Sequence, residues 1–429
     1  MNVWSYISKV WKGEVPFWRG SKVLWVIYFA LITISLIEVY SASSMRAYGG
    51  YLWAPIIKHA GIIFISTLGV IIISHLSWEF ISKIHLAFYG LALLALLMAM
   101  LFGVEANDAQ RSFNLLGISV QPSEILKPAI VFLGAYIFGH EHKGTPRRSF
   151  YWFWGMVLVP TVFIFFESGS TAIILLCIAW MVCFVSNPIK KEFWRITGVV
   201  AIGGISLLLF VVFMPPSVLK PFGRATTWHS RIMGNSLGVP DSVYNALTEA
   251  EKDSAYYVID GPNYQRKHAQ IAISRGAISP LGVLPGNSTA RDYLPEAHND
   301  FIYAIIIEEL GYLGAIAVPL LYLFFFFQLG VYARNTRNKQ QQLLLYGIGL
   351  LYVFQAMLNM GVASDLFPLM GQTLPLISAG GSSFLFTAFS FGFVQAITAR
   401  IREDRIQQKA LQEELQSSSQ DYSEKSSHE

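Results

Sequence analysis

Most of this chain is apolar, so polar residues at the borders of its apolar runs are costly and are the first places to look for chemistry. Three groups stand out. The first is Arg111, followed by Gln121-Pro122-Ser123-Glu124 and Lys127. Ser123 is placed to cap a helix start, and Glu124 suits the positive end of that helix. Lys127 follows Glu124 by three residues, within reach of a helical ion pair. One reading is a capped, self-neutralised helix start. The other is a cationic surface, built from Arg111 and Lys127, for an anionic headgroup, because guanidinium and ammonium groups are the usual phosphate partners.

The second group is Asp292-Tyr293-Leu294-Pro295-Glu296-Ala297-His298-Asn299-Asp300, which runs into Phe301-Ile302-Tyr303. Asp300 is the last polar residue before an apolar run. Its position suits a helix N-cap, and equally a general base at a membrane surface that takes a proton from a hydroxyl. Glu308 and Glu309 follow at about 12–13 Å along the helix, turned roughly 80° and 180° from Asp300. That spacing predicts separate functions for them, with Lys127 or Arg111 as a candidate partner for one. The third group runs from Phe367 to Ser383 and contains Pro368, Gly371, Gln372, Pro375, Ser378, Gly380, Gly381 and Ser382. Such an interruption reads either as a re-entrant turn with close helix packing or as the wall of an outward-facing cavity.

Other leads carry little. Ser217-Val218-Leu219-Lys220 matches S-x-x-K, but neither S-D-N nor K-T-G follows it. No His or Cys spacing points to zinc. His140 and His142 sit in a basic segment. Cys177 and Cys183, six apart in one apolar run, point to different helix faces and read as small apolar fillers.

The elements that must position these groups follow from composition. Of 429 residues, 54% are hydrophobic and 14% are charged; a soluble domain carries about 25% charged residues. That excludes a soluble enzyme, a disordered chain and a disulfide scaffold. A net charge of +4 leaves no nucleic-acid footprint. Ten apolar runs approach or reach the roughly 17–25 residues needed to cross a bilayer. They lie at 23–40, 53–76, 84–102, 123–138, 151–166, 170–186, 196–214, 301–331, 343–362 and 376–399. The run at 301–331 is long enough to tilt or to extend past the bilayer. Lys and Arg concentrate in alternate connections, which places both termini in the cytoplasm and all three polar groups on the outer side.

The predicted fold class is therefore all-α: a polytopic membrane protein of ten transmembrane helices, with a large extracytoplasmic loop between helices 7 and 8. Residues 1–22 form a cytoplasmic interfacial segment, with Trp4, Ile7 and Trp11 at helical spacing. Residues 23–400 form the membrane domain, with an outer loop over about 215–300 that contains a helix around 264–274. Residues 401–429 form a cytoplasmic tail, a short amphipathic helix followed by a disordered Ser- and Glu-rich end.

The three groups, in this order, resemble the SEDS family (shape, elongation, division and sporulation), which includes FtsW, RodA and SpoVE. Gln121 to Glu124 with Lys127 matches QPSE-x-x-K, Leu294 to Ile302 matches LPE-x-HTDFI, Glu308 to Gly311 matches EELG, and Leu374 to Ser383 matches LP-x-x-S-x-GGSS. The resemblance implies a peptidoglycan glycosyltransferase that polymerises lipid II, a disaccharide–pentapeptide on undecaprenyl pyrophosphate, on the outer face of the cytoplasmic membrane. It implies Asp300 as the catalytic base. It implies a substrate-binding set of Arg111, Gln121, Ser123, Glu124, Lys127, Glu296, His298, Ser378, Gly380, Gly381 and Ser382, with Arg111 and Lys127 neutralising the leaving pyrophosphate. The implied partners are a class B penicillin-binding transpeptidase and other divisome or elongasome membrane proteins. No metal site or cofactor is identified, and a divalent-cation requirement stays open.

The chain departs from the family pattern in places. Asn299 stands where the family has Thr, and Ala109-Gln110-Arg111-Ser112-Phe113 keeps the Arg of a GARRW-like run but not its Trp. Gly276 and Gly282 are the matched glycines of a glycine-rich run, and Thr171-Ala172 is what remains of a QPDLGTA-like run. Gly371-Gln372-Thr373-Leu374-Pro375 is closer to the septal branch, typified by FtsW, than to the elongation branch, typified by RodA. Readings of another class are a lipid II flippase and a non-catalytic scaffold. The flippase would need a polar path to both faces.

Overall fold

A computed structural model describes residues 17–42, 54–106, 109–115, 118–139, 146–186, 190–214, 248, 264–294 and 297–426. Residues 1–16 of the expected interfacial segment, most of the expected outer loop and Glu296 lie outside these residues. Twelve α-helices are described: α1 Lys22–Ala42, α2 Ala54–Ser74, α3 Trp78–Lys83, α4 His85–Phe102, α5 Pro122–Gly139, α6 Pro146–Glu167, α7 Gly169–Ser186, α8 Lys190–Phe213, α9 Tyr264–Gly276, α10 Ile302–Arg334, α11 Lys339–Ala363 and α12 Gly381–Ser426.

Nine of the described helices are long and apolar enough to cross a membrane. They correspond to nine of the ten expected runs, and the protein is a multi-pass, helical membrane protein. The tenth expected run is α5. It has 18 residues but carries Glu124, Lys127, Pro122 and Pro128, which lower its apolarity. Burial compensates: every residue from Pro122 to Ala135 is shielded from the surface. Helices α4, α6, α7, α11 and α12 pack around α5. A helix that carries both a carboxylate and an ammonium therefore sits among five others, with those charges kept off the surface.

Three differences from the sequence reading have physical causes. The outer connection between α4 and α5 is not irregular. It forms a small antiparallel sheet of β1 Val104–Ala106, β2 Ala109–Leu115 and β3 Ile118–Val120, in the order β1-β2-β3. β1 and β3 have three residues each, and in the seven-residue β2 the apolar set Ala109, Phe113 and Leu115 is interrupted by Arg111, so no strict alternation shows in the sequence. The long run at 301–331 resolves into a broken helix: α10 has a non-helical Gly311 at φ 57, ψ −145. About nine residues precede the break and about 23 follow it, so the second piece alone is long enough to span the bilayer. Finally, the tail does not lose structure after a short helix. The 46-residue α12 continues to Ser426, about 69 Å at 1.5 Å per residue, more than twice the hydrocarbon thickness. Once the membrane portion has nucleated the helix, propagating it costs little.

The outer-loop helix expected near 264–274 is present as α9 and packs on α10. Cys177 and Cys183 are both free thiols, Cys183 buried and Cys177 partly so.

Candidate functional site

The site is assembled where four chain segments meet: the start of α5, the turn at 297–301 leading into α10, the irregular stretch 364–380 between α11 and α12, and the outer half of α11. At the start of α5, the Lys127 Nζ lies 2.6 Å from Glu124 Oε1, and the two side chains are 1% and 8% exposed. The same ammonium donates to Gln372 Oε1 at 3.0 Å and to Gln355 Oε1 at 3.3 Å. Three acceptors thus use its three donors. Lys127 is part of a buried, neutralised pair rather than an open cationic surface, because burying an ammonium without a counter-charge is prohibitive. Neither Glu308 nor Glu309 is its partner, which removes one of the two cations considered for them.

Ser123 is not the helix cap. It lies inside α5, and Gln121 O accepts from Glu124 N at 3.1 Å to close the first turn. The Ser123 Oγ is buried with no hydrogen-bond partner among the described residues. Gln121 joins the first group to the third through its backbone N–H, which donates to Ser382 Oγ at 3.2 Å. Arg111 lies on β2.

The turn that carries Asp300 is fixed through three consecutive backbone carbonyls. His298 O accepts from Ala379 N at 2.9 Å, Asn299 O from Ser378 Oγ at 2.7 Å, and Asp300 O from Asn359 Nδ2 at 3.0 Å. Ser378 Oγ also accepts from Leu374 N at 2.7 Å, so this buried hydroxyl is bonded to backbone on both sides. Asp300 is not the helix cap either. Phe301 occupies that position, and its own side chain makes no capping bond. The Asp300 carboxylate, partly exposed, faces Gly371: a Cβ added to Gly371 would sit 3.6 Å from Asp300 Oδ2. Gly371 itself has φ +64, a conformation that favours glycine. His298 lies close enough to His59 on α2 for the two rings to interact electrostatically.

The irregular stretch is a re-entrant turn with close contacts. Gly380 approaches Thr373 so tightly that an added Cβ would be 3.0 Å from Thr373 Cγ2, and Gly380 O accepts the first bond of α12 from Phe384 N. Gly381 begins α12. Thr373 Oγ1 and Ser383 Oγ are 2.5 Å apart.

Two residues absent from the sequence-based set hold these pieces together. Gln355 Nε2 donates to Thr373 O at 3.1 Å, and Asn359 Nδ2 donates to Gln372 O at 2.6 Å as well as to Asp300 O. They lie four apart on α11, hence on one helix face. The available signal was an amide pair at i, i+4 inside an apolar run.

Glu308 and Glu309 do share a function. Glu308 Oε1 accepts from Arg275 of α9 at 3.1 Å and from Thr289 N at 3.2 Å, and its other oxygen accepts from Ser288 Oγ. Glu309 Oε1 accepts from Ser288 N at 3.2 Å and from Ser41 Oγ of α1. Backbone bonds from Val283 N to Glu308 O and from Leu284 N to Glu309 O complete the clamp. Although the two side chains leave the helix in different directions, the 283–291 stretch wraps around the break at Gly311 and meets both. Outside the spans, His268 of α9 stacks on Tyr293 at 5.6 Å, and burial holds its imidazole below the ordinary range.

With the geometry described, similarity to known proteins can be assessed. The model of a family described as cell cycle protein, covering FtsW, RodA and SpoVE, matches residues 21–403. The probable peptidoglycan glycosyltransferase FtsW of Enterococcus hirae is 29% identical over 416 residues, 92% of this chain and 97% of that protein. The protein of the same description from Dichelobacter nodosus is 30% identical over 395 residues, 88% of this chain and 90% of that one. Among solved structures, a chain of a peptidoglycan synthase complex that coordinates polymerization and crosslinking superposes with TM-score 0.61 at 22% identity, over 88% of this chain and 97% of that chain. The rod shape determining protein RodA of Thermus thermophilus superposes with TM-score 0.57 at 18% identity, over 88% and 96%.

Proposed function

The chain belongs to the FtsW, RodA and SpoVE family and is a peptidoglycan glycosyltransferase, and we propose that it polymerises lipid II at the outer face of the cytoplasmic membrane with Asp300 as the base. In this reading an acceptor sugar hydroxyl attacks the anomeric carbon of the donor. The new C–O bond forms as the bond to pyrophosphate breaks, and the hydroxyl proton passes to the Asp300 carboxylate. One displacement inverts an α-linked donor to a β-linked product, so a single carboxylate suffices. The leaving undecaprenyl pyrophosphate carries the developing negative charge. With Lys127 neutralised by Glu124, that charge falls to Arg111, on the sheet ahead of α5.

The observation that carries this reading is the carboxylate of Asp300 itself. It stands one residue ahead of the N-cap of a membrane helix, beside a glycine whose missing side chain leaves room. Asp300→Asn keeps the shape and removes the basicity. Purified Asp300→Asn that inserts normally should make no glycan from lipid II; polymerisation at the wild-type rate would overturn the assignment.

The biological setting is part of the same proposal. Both termini lie in the cytoplasm, by the distribution of Lys and Arg between the spans. The partner is a class B penicillin-binding transpeptidase that cross-links the strands made here. The process is septal wall synthesis, supported by the 371–375 stretch and by relatives described as FtsW. Depletion in the source bacterium should give filaments; rounded cells would point to elongation instead.

A further inference from the structure

Asn359 lies in the last turns of α11, four residues before its end, 1% exposed, with no role in the sequence-based set. Its NH2 group has two hydrogens. One is given to the backbone oxygen of Asp300 at 3.0 Å, and the other to the backbone oxygen of Gln372 at 2.6 Å. These acceptors belong to two separate irregular segments, the turn that ends at Asp300 and the stretch that contains Gly371. Asn359 and Ser378 both bond across this junction, Asn359 to Asp300 O and Ser378 to the neighbouring Asn299 O. The carboxylate of Asp300 faces Gly371, next to the second anchor. An amide planted on a rigid helix thus sets the distance between the carboxylate and the glycine it faces.

We propose that Asn359 is a positioning residue for Asp300: it locks the Asp300 turn to the 371–373 segment and so fixes where the carboxylate meets the acceptor hydroxyl. This rests on the reading of Asp300 as the base. A backbone carbonyl left without its donor in a buried site draws the turn toward another partner, and a shift of about 1 Å in a catalytic group can cost on the order of a hundredfold in rate. Helix α11 supplies the rigidity that a loop could not. Its Gln355, one turn earlier, holds Thr373 O in the same manner but does not touch Asp300.

The test uses the full-length protein in detergent with lipid II, comparing Asn359→Leu, Gln355→Leu and Asp300→Asn. Leucine retains the volume and suits an apolar helix while removing the donors. Asn359→Leu should lower kcat by roughly 10–100-fold with KM for lipid II within about twofold of wild type. Gln355→Leu, which removes the bond to Thr373 O and one acceptor of Lys127 but no bond to the Asp300 turn, should lose at least as much thermal stability yet retain a kcat severalfold above that of Asn359→Leu. If Asn359→Leu does not accumulate, Asn359→Ser, which retains a shorter donor, should show the same split at smaller size. Equal effects of the position 355 and 359 variants on kcat and KM, or an unchanged kcat in the position 359 variant, would overturn the proposal. Should Asp300→Asn retain activity, the reading of the base fails instead, and the two failures are told apart by that single control.

Discussion

The ammonium of Lys127 and the carboxylate of Glu124 meet at 2.6 Å inside α5, both shielded from solvent and lipid. A buried pair of this kind is costly to break on one side only. Glu124→Gln should destabilise the protein by about 3–5 kcal/mol, because it strands a buried ammonium, whereas Glu124→Gln combined with Lys127→Met should recover much of that loss. Thermal unfolding in detergent reads both. Equal melting temperatures for the single and double variants would contradict the buried-pair account.

The Glu308 carboxylate is fully buried and collects Arg275, Ser288 and Thr289 from the outer loop. Glu308→Ala should loosen the 283–291 stretch before it affects the bundle, since it removes the acceptor that Ser288 and Thr289 share and leaves the stretch to Glu309, Ser41 and two backbone bonds. Limited trypsin digestion is the assay, because Arg291 lies within the released segment. Cleavage after Arg291 should speed up on the order of tenfold; an unchanged digestion rate would show that the clamp is dispensable.

Gly311 combines φ 57 and ψ −145 with a position where an added Cβ would collide with Ser279 O, Gly282 N and Pro280 O. Gly311→Ala should cost at least about 1–3 kcal/mol from backbone strain, before any collision is counted. The expected result is a lower yield of folded protein and a lower melting temperature. A variant as stable as the wild type would mean that the break in α10 can straighten.

Glu38 on α1 is fully buried, neither of its oxygens has a hydrogen-bond partner among the described residues, and it interacts electrostatically with Glu309. Two carboxyl groups so placed oppose one another if both are charged. Glu38→Gln keeps the shape and removes the opposition, so its melting temperature should equal or exceed that of the wild type. A clear fall would indicate that the acid group itself is needed there.

Much of the architecture was legible in the sequence, because apolarity is a local property and a run of sufficient length can only be buried or face lipid. Nine spans, the helix in the outer loop and the three polar groups were visible on that basis. Local reading failed where a group had more than one plausible partner. Ser123 and Asp300 both occupy cap-like positions, yet neither caps a helix; Gln121 O closes one start, and Phe301 stands at the other. The strands escaped because β1 and β3 have three residues each and Arg111 interrupts the apolar alternation of β2.

By itself the sequence determined that this is a membrane bundle with its unusual polar residues gathered near one face, and which family that pattern resembles. The tertiary structure decided how those residues are spent. Lys127 is neutralised by a neighbour three residues away and bonded to Gln372 across 245 positions; Asp300 is held by Asn359 across 59, and Gln121 by Ser382 across 261. The reason is physical: burial follows from what each residue is, whereas a hydrogen-bond partner is chosen by which helices end up side by side, and that depends on the packing of the whole chain.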